Sequence, residues 1–172
     1  KSSTGRLDVF CRTIMDFSDE YEKVPSNYKG EMFLEVTSQS FDIEFQEGDS
    51  LNQMRLVYND HIYVKDAILR KYHDQFFLTL DNNNNKVKPN IKNGLKIGVD
   101  LSNMNSIIAF VAKNNAPILV FNKVKHHKIE KYWKPIKSSN NQLIIEKNKF
   151  YILKSKEKIQ IPKNMAGLMV PY

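Results

Sequence analysis

The sequence has 172 residues, of which 41% are hydrophobic and 26% are charged, and its formal net charge is +7. This composition is typical of a soluble globular chain, and the single cysteine, Cys11, excludes both a disulfide framework and a Cys-x-x-Cys zinc site. Because no apolar run reaches the roughly 18 residues that a membrane span needs, we predict a cytoplasmic location and no membrane partner.

The excess positive charge comes from lysines that are spread from Lys86 to Lys163. They do not gather on one periodic face, so we interpret them as a solvated surface and predict no nucleic-acid partner. A modest basic field would still favour a triphosphate over a neutral nucleoside as a ligand.

The chain opens on a short run of cations, hydroxyls and a glycine, namely Lys1, Ser2, Ser3, Thr4, Gly5 and Arg6. Groups of these types can converge on a polyphosphate within one turn, because the glycine allows close approach to the backbone. Runs of Ser, Thr and Gly are also ordinary turn chemistry. A polar loop that enters a strand therefore remains the alternative interpretation.

Strand patterns dominate the first third of the chain. Residues rich in β-branched and aromatic side chains predict strands over 6–14, 32–37, 41–45 and 51–58, with a turn at Gly48. In the second of these strands, the period of two places Phe33, Glu35 and Thr37 on one face. A carboxylate in an apolar strand is costly to bury without a partner, so Glu35 is either exposed or held for chemistry.

One helix is predicted over residues 65–73, with Asp66 near its N-cap. The asparagine run at residues 82–85 indicates a solvent-exposed insertion. Strand patterns then resume at residues 95–101, 107–112, 118–121, 143–146, 151–154 and 158–161. This many short strands predict an all-β barrel or jelly roll.

Two further groups of residues have competing interpretations. His126 and His127 lie between lysines and could form a metal or phosphate patch, but without a third ligand at useful spacing we favour an exposed basic loop. Tyr132 and Trp133 could stack on a base, whereas a lone tryptophan more often anchors a core.

Three motifs in this order resemble those of one enzyme family. The opening run is similar to the Arg-Ser-Ser-x-x-Arg signature of dCTP deaminases, with Lys1 where the family usually has Arg. Gly30 followed by Glu35 resembles the strand that carries the deaminase general base. Residues 48–54, which include Gln53, resemble the Gly-x-x-Ile-x-Gln segment of the same dUTPase-like superfamily.

A fourth resemblance concerns the domain organisation. Residues 150–157 and 161–167 look like the strand pair that precedes the Ser-Ser motif in single-domain deaminases, yet here they follow it. This order resembles the middle of the long, tandem bacterial form. It implies a distorted β-barrel or jelly roll in parts of two copies: residues 1–58 from the first copy, a connection at 59–93 with one bridging helix, and residues 94–172 from the second copy.

The resemblance implies hydrolytic deamination of dCTP to dUTP and ammonia, with a Glu as general acid and base. A zinc-dependent deaminase would need a Cys pair that is absent here, so no protein-bound metal is expected and Mg²⁺ is expected only on the nucleotide. Family members are trimers, which implies a homo-oligomer or a pseudo-trimeric arrangement of tandem domains. The implied catalytic residues are Glu35, Ser2 and Arg6, and the implied substrate-binding residues are Lys1, Ser3, Thr4, Gly5, Val24, Phe33, Leu34 and Gln53.

Two alternatives remain open. Residues 24–31 resemble the dUTPase motif Ile-Asp-x-Asp-Tyr-x-Gly-Glu, which implies dUTP diphosphatase or bifunctional activity, although Pro25 stands where that motif has its water-activating aspartate. The second alternative is a degenerate dUTPase-like module that binds nucleotides without catalysis.

Overall fold

The computed structural model describes residues 2–16, 18–21, 23–56, 63–102, 106–137, 140–163 and 165–169, and for Ser2 and Ser3 it describes the backbone only. In these residues the helices are α1 (Ser2–Gly5), α2 (Asp66–Phe76) and α3 (Ile129–Tyr132). The strands are β1 (Val9–Met15), β2 (Met32–Ser38), β3 (Ile43–Glu44), β4 (Thr79–Leu80), β5 (Asn90–Ile91), β6 (Leu95–Lys96), β7 (Ile107–Ala112), β8 (Leu119–Val120), β9 (Trp133–Lys137), β10 (Tyr151–Leu153) and β11 (Lys158–Ile159).

The prediction of a mainly β fold is confirmed, but the described strands do not close into one barrel. They form a three-stranded sheet in the order β10-β7-β9 and four two-stranded sheets, which pair β1 with β2, β3 with β8, β4 with β11, and β5 with β6. The predicted strand over 51–58 is wrong for residues 51–56, which have no regular secondary structure, and its last two positions lie outside the described residues.

β1 and β2 form the longest strand pair among the described residues, a seven-residue antiparallel ribbon. The register pairs Val9 with Ser38 and Met15 with Met32, which puts Arg12 opposite Glu35. β1 begins later than predicted, because residues 6–8 form a turn after α1. Alternate residues of β1 are covered while those between them face outward, and all seven residues of β2 are exposed.

Contacts divide the chain into two compact units. The first unit comprises residues 1–56, 109–136 and 144–152. Its core is built on Phe41, Leu119 and Tyr132, around which the rings of Phe41 and Trp133 meet edge to face at 5.3 Å. Trp133 therefore packs on the core, as favoured from the sequence. The parallel pairing of β3 with β8 brings the segment after the ribbon to this core.

The second unit comprises residues 57–108, 137–143 and 153–172. It contains α2, which ends where Phe77 adopts a left-handed conformation with φ 55°. Because both units draw on separated segments, they do not coincide with the predicted parts 1–58, 59–93 and 94–172, and that division stays a prediction. In the part of the chain that the structure describes, none of the helices has the length and apolar character needed to cross a bilayer.

Asp66 lies next to the N-cap of α2, as predicted, but its carboxylate binds a different segment of the chain. It is the first residue of α2, and Lys65 at the N-cap makes no side-chain capping bond. The Asp66 carboxylate instead accepts hydrogen bonds from the backbone N–H groups of Asn93 at 2.9 Å and Gly94 at 2.8 Å. These two bonds lower the pKa of Asp66 and fasten the β5–β6 turn to the start of the helix.

The asparagine run is exposed, as predicted, but it is also closely hydrogen-bonded. The Asp81 carboxylate accepts backbone N–H bonds from Asn83 and Asn85, both at 2.8 Å. The Lys158 ammonium donates to the carbonyl of Asn82 at 2.7 Å and to the side chain of Asn84 at 2.9 Å. A lysine from β11 therefore organises the polar groups of this loop.

His73 is buried in the second unit, with 3% of its surface exposed. The Thr79 hydroxyl donates to the carbonyl of Val87 at 2.9 Å, so it can only accept from His73 Nδ1, which lies 3.5 Å away. Nε2 has no hydrogen-bond partner among the described residues. Burial, followed by the charge of Lys86, lowers the pKa of His73.

We expect the free energy of unfolding to fall as the pH drops below about 6.5, the ordinary pKa of histidine. In that range His73 binds a proton in the unfolded chain, whereas the buried imidazole of the folded chain stays neutral to lower pH. Chemical denaturation at pH 7.5 and at pH 5.0 measures this loss. The His73→Gln variant should reduce the difference between the two pH values, whereas the control His126→Gln, at an exposed position, should leave it unchanged. Equal pH dependence in both variants would contradict this account.

Candidate functional site

The opening motif folds as a helical turn rather than as an extended loop. α1 is followed by a turn in which the N–H of Leu7 donates to the carbonyl of Thr4 at 2.9 Å. Thr4 is buried with 3% of its surface exposed, whereas Gly5 and Arg6 are exposed. Apart from Gly5, its two neighbours in the chain and the backbone of its own helix, no described atom lies within 4 Å of the position that a Cβ on Gly5 would take. The backbone there is therefore open to a ligand. Lys1 and the side chains of Ser2 and Ser3 lie outside the description.

A cavity of about 250 Å³ lies beside this turn in the first unit. It is lined by parts of α1, the following turn, β1 and two later segments: Thr4, Gly5, Asp8, Val9, Phe10, Cys11, Asn52 and Phe150. Two predicted substrate-binding residues, Thr4 and Gly5, therefore lie on its wall. Polar residues that were not predicted from the sequence also line this cavity, next to the opening motif.

Asp8 is the first of these polar groups. Its carboxylate accepts a hydrogen bond from the Ser40 hydroxyl at 2.7 Å, and its carbonyl accepts one from the N–H of Gln39 at 3.0 Å. Its backbone has φ 56°, a left-handed conformation that Asp tolerates better than most residues. Asp is common in turns, so its presence two residues after the opening motif could have identified this position from the sequence.

Asn52 and Cys11 complete the polar wall. The Asn52 amide donates to the Thr13 hydroxyl at 3.2 Å, which fastens the segment that also contains Gln53 to β1. Gln53 itself is exposed. Burial raises the pKa of the Cys11 thiol, so the thiol stays neutral near pH 7. We therefore interpret Cys11 as a small packing residue of β1 and not as a reactive group.

Glu35, the predicted general base, occupies the centre of β2. The Arg12 guanidinium lies 3.9 Å from its carboxylate, with the two side chains 59% and 46% exposed respectively. The guanidinium also lies over the ring of Tyr21, at 5.4 Å from its centre. Arg12 thus contacts both an aromatic ring and the carboxylate, and alternation along β1 places it on the outward face.

The predicted site residues form two groups in the first unit. Thr4 and Gly5 line the cavity, whereas Glu35 does not line it and shares the outward face of the ribbon with Phe33. Phe33 and Leu34 are 54% and 45% exposed, and Val24 is half-buried. The catalytic and binding roles given to these residues stay predictions.

No metal-binding cluster occurs in the described ranges. Nowhere in them do three or more His, Cys, Asp or Glu side chains gather as they would around a metal ion.

Comparisons with known proteins agree on one family. Residues 1–60 match the model of the 2'-deoxycytidine 5'-triphosphate deaminase N-terminal domain, and residues 65–172 match the model of its C-terminal domain. Among solved structures, the chain is similar to the 2'-deoxycytidine 5'-triphosphate deaminase from Agrobacterium tumefaciens, with 27% identity and a TM-score of 0.75. The match covers 94% of this chain and 48% of the Agrobacterium protein, so this chain spans about half the length of that protein. No curated protein matches.

We expect the conformation of Asp8 to limit which residues can replace it. Asp8→Asn keeps an acceptor for Ser40 and tolerates a left-handed backbone, so its stability should stay within about 0.5 kcal/mol of the parent. Asp8→Val loses the acceptor and places a β-branched residue at φ 56°, which should cost about 1–3 kcal/mol. Urea denaturation measures both effects, and equal stability of the two variants would contradict this role.

Proposed function

Since the chain belongs to the 2'-deoxycytidine 5'-triphosphate (dCTP) deaminase family, we propose that the protein deaminates dCTP hydrolytically to dUTP and ammonia. The observation that carries this proposal is the match of the two domain models, one after the other, over nearly the whole chain. A deaminase also requires a nucleotide site with a general base, and the first unit supplies candidates for both. We propose the activity for the whole protein, because this chain spans about half the length of the Agrobacterium tumefaciens deaminase.

In the proposed mechanism, Glu35 takes a proton from a bound water, and the resulting hydroxide attacks C4 of the cytosine ring. The same carboxyl group then gives that proton to N3. It afterwards transfers a second proton, from the new hydroxyl group on C4, to the amino group, which departs as ammonia while the C4 carbonyl forms. Ser2 orients the water or the leaving amine, and Arg6 fixes either Glu35 or a phosphate. The half-exposed carboxylate of Glu35, beside the Arg12 guanidinium, supports this role because a substrate can reach it.

Binding of the nucleotide is assigned to the remaining predicted residues. Lys1 and Ser3 hold phosphates, while Thr4 and Gly5 form the wall along which the triphosphate lies. The open space above Gly5 and the adjacent cavity support this placement. Val24, Phe33, Leu34 and Gln53 would surround the base and sugar. Mg²⁺ would accompany the triphosphate, and we place the reaction in the cytoplasm, where we expect the protein to bind neither membranes nor nucleic acid.

Assembly into a homo-oligomer is part of the proposal. On the face that carries Glu35, the β1–β2 ribbon exposes three large apolar side chains that a second subunit or domain would cover: Phe10, Ile14 and Phe33. Met32, Leu34 and Val36 are exposed on the opposite face. A two-stranded ribbon is marginally stable in water by itself, and contiguous apolar surface of this kind marks an interaction site. Glu35 lies on the face that carries Phe33 and Ile14, so the same contact would enclose it.

The alternative of dUTP diphosphatase activity rests on the resemblance of residues 24–31 to the dUTPase motif. Pro25 is at the position where that motif has its aspartate, and proline has no group that can act as a base. A dUTPase reaction would therefore need a carboxylate from elsewhere in the protein. A nucleotide-binding module without catalysis is the remaining alternative, and it predicts tight binding of dCTP without turnover.

Incubating the full-length protein with dCTP and Mg²⁺ should release ammonia and form dUTP. Glu35→Gln should lower kcat by about 10²-fold or more, because it removes the proposed acid and base. Glu31→Gln, which changes an exposed carboxylate next to the same strand, is the matched control and should keep activity within about twofold. Absence of ammonia release, or full activity of Glu35→Gln, would refute the mechanism, and release of pyrophosphate from dUTP would favour the alternative.

A second test concerns assembly. Phe33→Ser changes a side chain that is 54% exposed, so it should affect folding little while weakening association through the ribbon. Light scattering coupled to gel filtration should show a smaller mass for the full-length variant at low concentration. Ile144→Ser, at a position 84% exposed and outside the ribbon, should leave the mass unchanged. A parent protein that is already monomeric would disprove the assembly.

A further inference from the structure

The loop that follows β8 encloses a second cavity in the first unit, with a volume of about 230 Å³. One water molecule occupies roughly 30 Å³ in the liquid, so this cavity has room for an oxyanion together with several waters. It is lined by Pro117, His126, His127, Lys128, Lys131 and Tyr132. No residue of this cavity lines the one beside the opening motif, so the two are separate sites.

Hydrogen bonds fix the inner wall of this cavity. His127 Nε2 lies 2.9 Å from the carbonyl of Val120, and a carbonyl only accepts, so this nitrogen carries a proton. The Tyr132 hydroxyl donates to the carbonyl of Ile118 at 3.3 Å and lies 3.1 Å from His127 Nδ1. Both ring nitrogens of His127 therefore have partners within the protein, and these bonds hold the ring in place.

The core holds this arrangement in place. Tyr132 is buried with 5% of its surface exposed, and its ring meets the ring of Phe41 edge to face at 5.9 Å. The ring of His127 packs edge to face against Tyr132 at 5.4 Å. The cavity wall is therefore preorganised by the same residues that form the core of the first unit.

The cavity concentrates positive charge that has no counter-ion in the part of the chain described. Lys128 and Lys131 are three residues apart on one turn, where their like charges repel. None of the ion pairs between described residues includes these lysines or either histidine. The acidic residue of the same turn, Glu130, does not line the cavity. An anion bound here would relieve the repulsion.

We propose that the cavity formed by His126, His127, Lys128, Lys131 and Tyr132 binds a small phosphate-bearing anion. The lysine ammonium groups provide charge-assisted donors, and the cavity is large enough for a phosphate or pyrophosphate group. This site is independent of the proposed deaminase chemistry, because it uses none of the residues assigned to that reaction.

Isothermal titration calorimetry of the full-length protein with inorganic pyrophosphate, in a phosphate-free buffer, tests the proposal. The double variant Lys128→Gln/Lys131→Gln should weaken pyrophosphate binding about tenfold or more, because it removes two charge-assisted donors. The matched control is Lys123→Gln/Lys125→Gln, which removes the same charge from the same loop at positions that do not line the cavity. This control should change the affinity less than about threefold.

Nitrogen NMR of the histidine rings provides a second readout, in which pyrophosphate should shift the resonances of His127. A larger shift with a nucleoside triphosphate would identify the ligand as the phosphate chain of a nucleotide, and an equal shift would identify it as a free anion. Both results support a phosphate site. No binding of pyrophosphate to the parent protein, equal weakening in the two double variants, or unshifted His127 resonances would overturn the proposal.

Discussion

The cross-strand register of β1 and β2 places Arg12 opposite Glu35 and so decides which face of the ribbon carries the carboxylate. Side chains alternate along a strand, so a slip of one residue would move Glu35 to the face that carries Cys11 and Thr13. The register is secured at the end of the ribbon, where Gln39 N–H donates to the carbonyl of Asp8 at 3.0 Å. The strained turn at Asp8 and the position of the candidate base are therefore linked by one set of hydrogen bonds.

The core of the first unit supports two cavities, each of which we propose as a binding site. Phe41 follows the ribbon and packs against both Tyr132 and Trp133, while Trp133 contacts Phe150 at a ring distance of 5.8 Å. Phe150 lines the cavity beside the opening motif, and Tyr132 lines the basic cavity. Aromatic ring packing, which prefers defined geometries, thus positions the walls of both cavities.

Local sequence patterns predicted those features that depend on neighbours in the chain. The strand that carries Glu35, the helix near residues 65–73 and the exposed asparagine run all have local causes and are confirmed. The partners of Asp66, which are 27 and 28 residues away, and the register that selects Arg12 depend on tertiary contacts, so no local pattern reveals them. Local patterns also did not reveal that the described strands pair into separate sheets, because short strands do not encode which edge they pair with.

A general base needs a site from which bulk water is excluded, and the side chain of Glu35 is 46% exposed. No residue of the first unit supplies that exclusion, within the described ranges, because every residue of β2 is exposed. The apolar side chains that surround Glu35 on the ribbon favour burial against another surface. Whatever covers Phe33 and Ile14 would also remove water from the Glu35 carboxylate next to them on the same face, so association and activation of the proposed base become one physical event.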